Sequence, residues 1–134
     1  MSIQANELRI GNCLYNDDTD DIMVVSRIES KDYTKWNNNN EYNIIAFKIV
    51  TNDGYYEGDF RPIPLTEEWL LKFGFEYRGG HGYKSPMGEN FYFSIGNGFI
   101  HEMYRHTNFK GVKYVHQLQN LYFVLTGEEL TIKQ

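Results

Sequence analysis

Two stretches of this 134-residue chain mix cations, aromatic rings and turn residues. In YRGGHGYKS, residues 77–85, Gly79, Gly80 and Gly82 let backbone N–H groups approach an anion. Arg78, His81 and Lys84 add positive charge, and Tyr77 or Tyr83 offers a ring to a base. In YRHTNFKGVK, residues 104–113, Arg105, His106, Lys110 and Lys113 stand among Tyr104 and Phe109. Such a mixture suits nucleotides or single strands. Each stretch also has a plainer reading. The first serves as a glycine-rich bulge between two strands, and the second as a solvated turn. If the two turns meet in space, they make one cationic site with rings available for stacking.

Other constellations carry less chemistry. NDDTDDI, residues 16–22, sets Asn16, Asp18 and Asp20 at alternate positions, like the start of a calcium loop. Asp21 stands where such a loop needs glycine, and Arg27 where it needs a bidentate Glu, so a solvated turn is expected. His101 and His106 are poorly spaced to share a metal ion, and none is expected. The chain has no nucleophile elbow, zinc-binding helix motif or phosphate-binding P-loop. The single Cys13 excludes an internal disulfide and has no activating neighbour in sequence. An enzyme is therefore not expected. No catalytic residue and no cofactor is assigned.

These residues need a scaffold, and the hydrophobic pattern supplies one. ELRIGNCLY alternates Leu8, Ile10 and Leu14 inward with Arg9 and Tyr15 outward, the period of a strand. Further strands are expected in IMVVSRIE, NIIAFKIV and YYEGDFRPI, with a long loop, SKDYTKWNNNNEY, and a TNDGY hairpin turn between them. PLTEEWLLKFGF reads as a short helix. Thr66 caps it, Leu65 and Leu70 form a hydrophobic staple, and Gly74 stops it. FEYR, GYKS, NFYFSI and FIHEMYR form a second β run, with HTNFKG leading into a last helix that Gly127 ends. The expected fold is α+β. A small antiparallel N-terminal sheet, with SH3-like as one form of it, precedes a short central helix and a β meander packed on a C-terminal helix. The length suits a single compact domain, 1–134, made of a β part (1–64) and a helix–meander–helix part (65–134).

Charge narrows the partners. The net charge is −5, which argues against non-specific binding to nucleic acid, so no duplex partner is expected. Residues 1–71 carry 6 Lys/Arg against 13 Asp/Glu, and residues 72–134 carry 7 against 5. All four histidines fall in the second stretch, where an anionic partner should therefore meet the protein. No apolar run is long enough for a membrane helix and the N-terminus lacks a secretory pattern, so a cytoplasmic protein is expected.

The last helix, YVHQLQNLYFVLTG, carries no charged residue. On a helical wheel Tyr114, Val115, Leu118, Leu121, Tyr122 and Leu125 form one apolar stripe, the expected core face. His116, Gln119, Asn120 and Phe123 occupy the other side. A neutral, amide-rich and aromatic side resembles a contact surface. The alternative is that the β run covers it and the amides bond to strand edges. Trp36, in TKWNNNN, is either a lid on the first sheet or an exposed anchor.

The stretches PIPLTEEWLLKFGFE and YVHQLQNLYFVLTGEEL, behind ANELRIGN, resemble a family of small proteins of Bacteroides-type bacteria and of their phages and prophages. The resemblance is specific in the last helix and loose in residues 15–60 and 76–112. No activity is established for that family, so it transfers no site residues. It implies a mobile-element setting and the cytoplasm of a bacterium, infected or not. The expectation is a non-catalytic binding protein of phage or prophage origin. One form of it is a counter-defence protein that sequesters an anionic nucleotide signal. The other is a protein–protein module that inhibits or adapts a host protein. A homo-oligomer is expected in either case.

Overall fold

The structure is a computed structural model and describes residues 7–17, 19–30, 42–48, 55–57, 60–86, 91–103 and 107–133. The architecture is α+β, with two antiparallel sheets and two helices. The chain divides into two compact units, Met1–Ile63 and Pro64–Gln134, one residue from the expected boundary between its two parts.

In the first unit β1 (Cys13–Asn16), β2 (Ile22–Ser30), β3 (Tyr42–Lys48), β4 (Tyr55–Glu57) and β5 (Phe60–Arg61) pair in the order β4-β3-β2-β1-β5. The stretch expected as one fourth strand is thus two strands, which pair with β3 and with β1. These two edges are separated in sequence by residues 58 and 59 alone. Three peptide links reach at most about 11 Å, whereas four strand spacings of a flat sheet cover about 19 Å. The sheet must therefore curl until its edges approach each other. A register irregularity between Val25 and Arg27 sharpens the bend.

Leu8, Leu14, Met23, Val25 and Phe60 fill the inside of the first sheet, with Ile28 packed against them. Ile10, expected inward, is 65% exposed. The chain turns before β1: Asn12 N–H donates to Arg9 O, and Asn12 Oδ1 accepts from Arg9 N–H. This turn breaks the alternation two residues before the strand begins. The acidic turn of residues 16–21 closes on itself through Asn16 N–H to Asp21 O, 2.8 Å. Arg61 forms ion pairs with Asp17 and Asp20 there, and its guanidinium lies 4.8 Å from the centre of the Tyr15 ring. The cation that answers these carboxylates is a side chain of the same sheet. Trp36 and the expected turn at residues 51–54 lie outside the described residues.

The second unit begins with α1 (Glu67–Lys72). The Thr66 side chain accepts from Trp69 N–H at its start, and Leu65 and Leu70 are both buried, as a staple requires. At its end Gly74 takes φ +92°. Gly74 N–H donates to Leu71 O and Phe75 N–H to Leu70 O, the paired bonds of a Schellman stop. Five strands follow: β6 (Glu76–Tyr77), β7 (Tyr83–Lys84), β8 (Tyr92–Gly96), β9 (Phe99–Glu102) and β10 (Thr107–Phe109). Their order in the sheet is β10-β9-β8-β7-β6. β10 lies where a simple lead-in to the last helix was expected. Its Thr-Asn-Phe sequence has no hydrophobic alternation, and pairing with β9 alone makes it a strand.

The last helix, α2 (Val115–Thr126), packs its buried residues into the core of this unit. Phe75 joins sheet to helix, with ring centres 5.9 Å from Phe93 and 6.1 Å from Tyr122. The buried side of α2 holds Val115, His116, Leu118, Gln119 and Tyr122. It is rotated from the expected stripe, since Leu121 is only half-buried and Leu125 is exposed. His116 and Gln119, expected on a contact surface, are core residues at 1% and 0% exposure. For Gln119 the reason is the segment after the helix. Leu130 is buried, and Gln119 Nε2 donates to Leu130 O across 3.1 Å. Lys133 N–H continues that segment onto Lys72 O, the last turn of α1.

Candidate functional site

Side chains directly opposite in an antiparallel ladder share a face. The register therefore sorts the second sheet. Tyr83, Phe93 and Glu102 lie in one row with Tyr77 and Thr107 at its ends, and Ile95, Ile100 and Phe109 lie in another row on the same face. Phe93 and Ile100 are fully buried, so this is the inner face. The outer face carries Glu76, Lys84 and Tyr92, then Ser94, His101 and Asn108, then Gly96 and Phe99. Met103, whose N–H donates to Tyr92 O, extends the first of these rows.

An ordered polar centre occupies the outer face. His101 Nε2 lies 3.1 Å from Gly96 O on β8, and His101 Nδ1 lies 2.6 Å from Asn108 Oδ1 on β10. A carbonyl can only accept, so Nε2 carries the hydrogen; Nδ1 then accepts, and the Asn108 amide meets it through its N–H2 when turned about its last bond. One ring thus reaches both neighbouring strands. To do so the imidazole must lie across its own strand rather than stand up from it. Gly96 makes this possible, because a Cβ there would come 3.1 Å from His101 Nε2. Phe99, two residues earlier on β9, extends the surface with its ring centre 4.6 Å from that of His101.

The Met103 side chain crosses β8 in the other direction. Its Sδ accepts from Ser94 Oγ at 3.1 Å, and its Cγ lies 3.2 Å from where a Cβ of Gly82 would stand. Ser94, Gly96, His101, Glu102, Met103 and Asn108 line a groove of about 420 Å³. Both ring nitrogens of His101 are engaged within the sheet. Among the described residues no group of three His, Cys, Asp or Glu could hold a metal ion.

The residues singled out in the sequence are placed differently from one another. Tyr83 is buried, and its hydroxyl donates to Glu67 Oε2 on α1 at 3.0 Å, so its ring is not offered to a ligand. Burial first, and then the bond to the Glu67 carboxylate, push its phenol above the usual 10.0. Tyr77 is 65% exposed but belongs to the inner-face row beside Tyr83, their ring centres 5.2 Å apart. Arg78 donates to the carboxylate of Glu76, which offsets its charge. Gly79–His81 form a 3-10 turn in which the N–H groups of Arg78, His81 and Gly82 bond within the turn itself. That turn joins two strands, close to the plainer of the two expected readings. Lys84 lies on the outer face opposite Tyr92, and the exposed His81 ring is centred 6.4 Å from Tyr92.

Tyr104, Arg105 and His106 lie outside the described residues. Met103 and Thr107 stand at the end of the rows opposite to the turn of residues 78–82, and three strand spacings away. Lys110 is at the same end as that turn but follows the far edge strand, three to four strand spacings or about 14–19 Å away. Among the described residues of the two basic stretches, Lys110 and the turn of residues 78–82 adjoin opposite edges of this sheet.

Tyr92, Ser94, Phe99, His101, Met103 and Asn108 were not selected from the sequence as a site. Period-two alternation along β8 and β9 does place Tyr92 with Ser94, and Phe99 with His101 and Met103. Only the register between strands makes them one surface. No protein-family model, curated protein or solved structure matches the chain.

Proposed function

We propose that the chain is a non-catalytic binding protein that receives its ligand on the outer face of the second sheet. The observation that carries this reading is the clamped imidazole of His101, held from both sides by Gly96 and Asn108. A ring fixed in place before binding loses little freedom when a ligand arrives. In the mobile-element setting implied by the sequence resemblance, holding a ligand without converting it amounts to sequestration.

A second reading rests on a different surface. Phe123, Val124 and Leu125, at 39%, 79% and 39% exposure, form an uncharged end to α2. Apolar residues grouped in this way mark contact with a protein. That partner is a host protein or a second copy of the chain. Native mass spectrometry of the protein isolated from its own bacterial host separates the two readings. A retained small molecule or short polymer that disappears in His101→Ala supports the outer face. A retained protein that disappears in Val124→Glu, and persists in His101→Ala, transfers the function to α2.

A further inference from the structure

We infer, resting on the outer-face reading above, that the ligand is a nucleobase carried on a phosphate, taken up as a short single strand. The outer face presents three half-buried rings on its two adjacent strands β8 and β9: Tyr92, His101 and Phe99. Residues two apart on a strand stand about 6.7 Å from each other on one face. Tyr92 lies one such step along β8 from Ser94, the partner of His101, so Tyr92 and the contacting pair His101 and Phe99 fall in separate rows. Every base has a π-face, so rings so placed accept bases with little regard to sequence. A sheet face carrying aromatics on its central strands is a known way of stacking two or three splayed bases.

Polar groups for base edges lie beside the rings. The groove holds the Ser94 hydroxyl and the Asn108 amide. Charge on this face gives an anion no net preference once Glu102, which also lines the groove, is counted. Arg78 and Lys84 stand against Glu76, and Arg78 is already bonded to Glu76. Lys84, opposite Tyr92, is then the cation placed to meet a phosphate next to a base on Tyr92. A duplex, whose bases are stacked on each other, offers no free faces to this surface.

Fluorescence anisotropy tests the assignment. The probes are labelled single-stranded hexanucleotides of thymidine and of adenosine, the matching mononucleotides as competitors, and a labelled duplex. The hexanucleotides should bind and the duplex should not. Tyr92→Leu and Phe99→Leu, which keep an apolar side chain at half-buried positions, should each weaken binding about five- to a hundredfold. Val124→Glu should leave it unchanged. Mononucleotides that compete as well as hexanucleotides would support the same base-and-phosphate chemistry with a free nucleotide as its source. Absence of binding, or binding unmoved by both leucine variants whose melting temperatures match the parent, overturns the nucleobase assignment. In that event, a host-derived species that still depends on His101 in the mass-spectrometric test would preserve the outer face as the binding surface. Loss of both results removes both readings.

Discussion

The amides of Gln117 and Gln119 anchor α2 to backbone on either side of it. Gln117 Oε1 accepts from the N–H groups of Lys113 and Tyr114 and so caps the helix start. Gln119, fully buried, holds Leu130 O. Leu118→Ala should cost about 2–5 kcal/mol in urea unfolding, since it leaves a cavity in a closed core. Gln119→Ala should cost about 1–3 kcal/mol, because it strands a buried carbonyl. Val124→Ala, at an exposed position, should fall within about 0.5 kcal/mol of the parent. Tyr83 makes a pH-dependent contribution. Its phenol is raised above 10.0 in the folded protein, so folding favours the protonated form. That contribution is complete below pH 10.0 and is lost as pH rises through the folded value. The melting temperature of the parent should therefore fall toward, or below, that of Tyr83→Phe between neutral and strongly alkaline pH. A constant difference across that range would exclude the mechanism.

At the scale of elements, Gly82 shows how the outer face is assembled. It takes φ +85°, and a Cβ there would meet the Phe93 carbonyl oxygen at 2.7 Å. Backbone cannot yield as a side chain can, so Gly82→Ala must displace β7 from β8 as well as strain the turn. The expected result is a loss of at least about 1–2 kcal/mol, with shifted amide resonances for Met103 and Ser94 in a heteronuclear spectrum. The segment after α2 is a second device of this kind. Deleting residues 128–134 removes the buried Leu130, the acceptor of Gln119 and the Lys133 N–H that bonds Lys72 O. Burial of one leucine alone is worth about 1.5–3 kcal/mol. The truncated protein should therefore unfold at lower urea, and amide exchange should quicken in both α1 and α2.

At the scale of the whole molecule, the two units differ in charge. Residues 1–63 carry six Lys/Arg against eleven Asp/Glu, and residues 64–134 carry seven against seven. The excess of positive charge in residues 72–134 disappears at the actual boundary, because Glu67 and Glu68 belong to the second unit. Binding by the second unit should then depend on stacking more than on charge. A plot of log affinity against log salt should have a slope of about −0.7 to −1.4, as one or two phosphate contacts give in a single strand. A much steeper slope would point to a cationic surface elsewhere. For assembly, the proposed contact is the uncharged end of α2. Sedimentation should show a dimer that Phe123→Glu with Val124→Glu divides into monomers. Gln119, being a core residue, is not a suitable position for that test.

Elements whose signals are local were legible in the sequence. Thr66, the Leu65 and Leu70 pair and Gly74 bounded α1, and the uncharged run up to Gly127 bounded α2, because caps and stops depend on neighbours within one turn. It also placed four of the five strands of the second sheet through turn residues and aromatic runs. Tertiary structure alone decided the rest. β10 became a strand only by pairing with β9, and the fourth strand of the first sheet split because its halves serve opposite edges. Gln119 was turned inward by Leu130, which returns to α2 from beyond it, while Lys133 reaches α1. The outer face was decided in the same way. Register sets which residues on different strands stand side by side, and it is fixed by contacts between segments far apart in the chain. That is why Tyr83 went to the core edge and His101 to the centre of the proposed site.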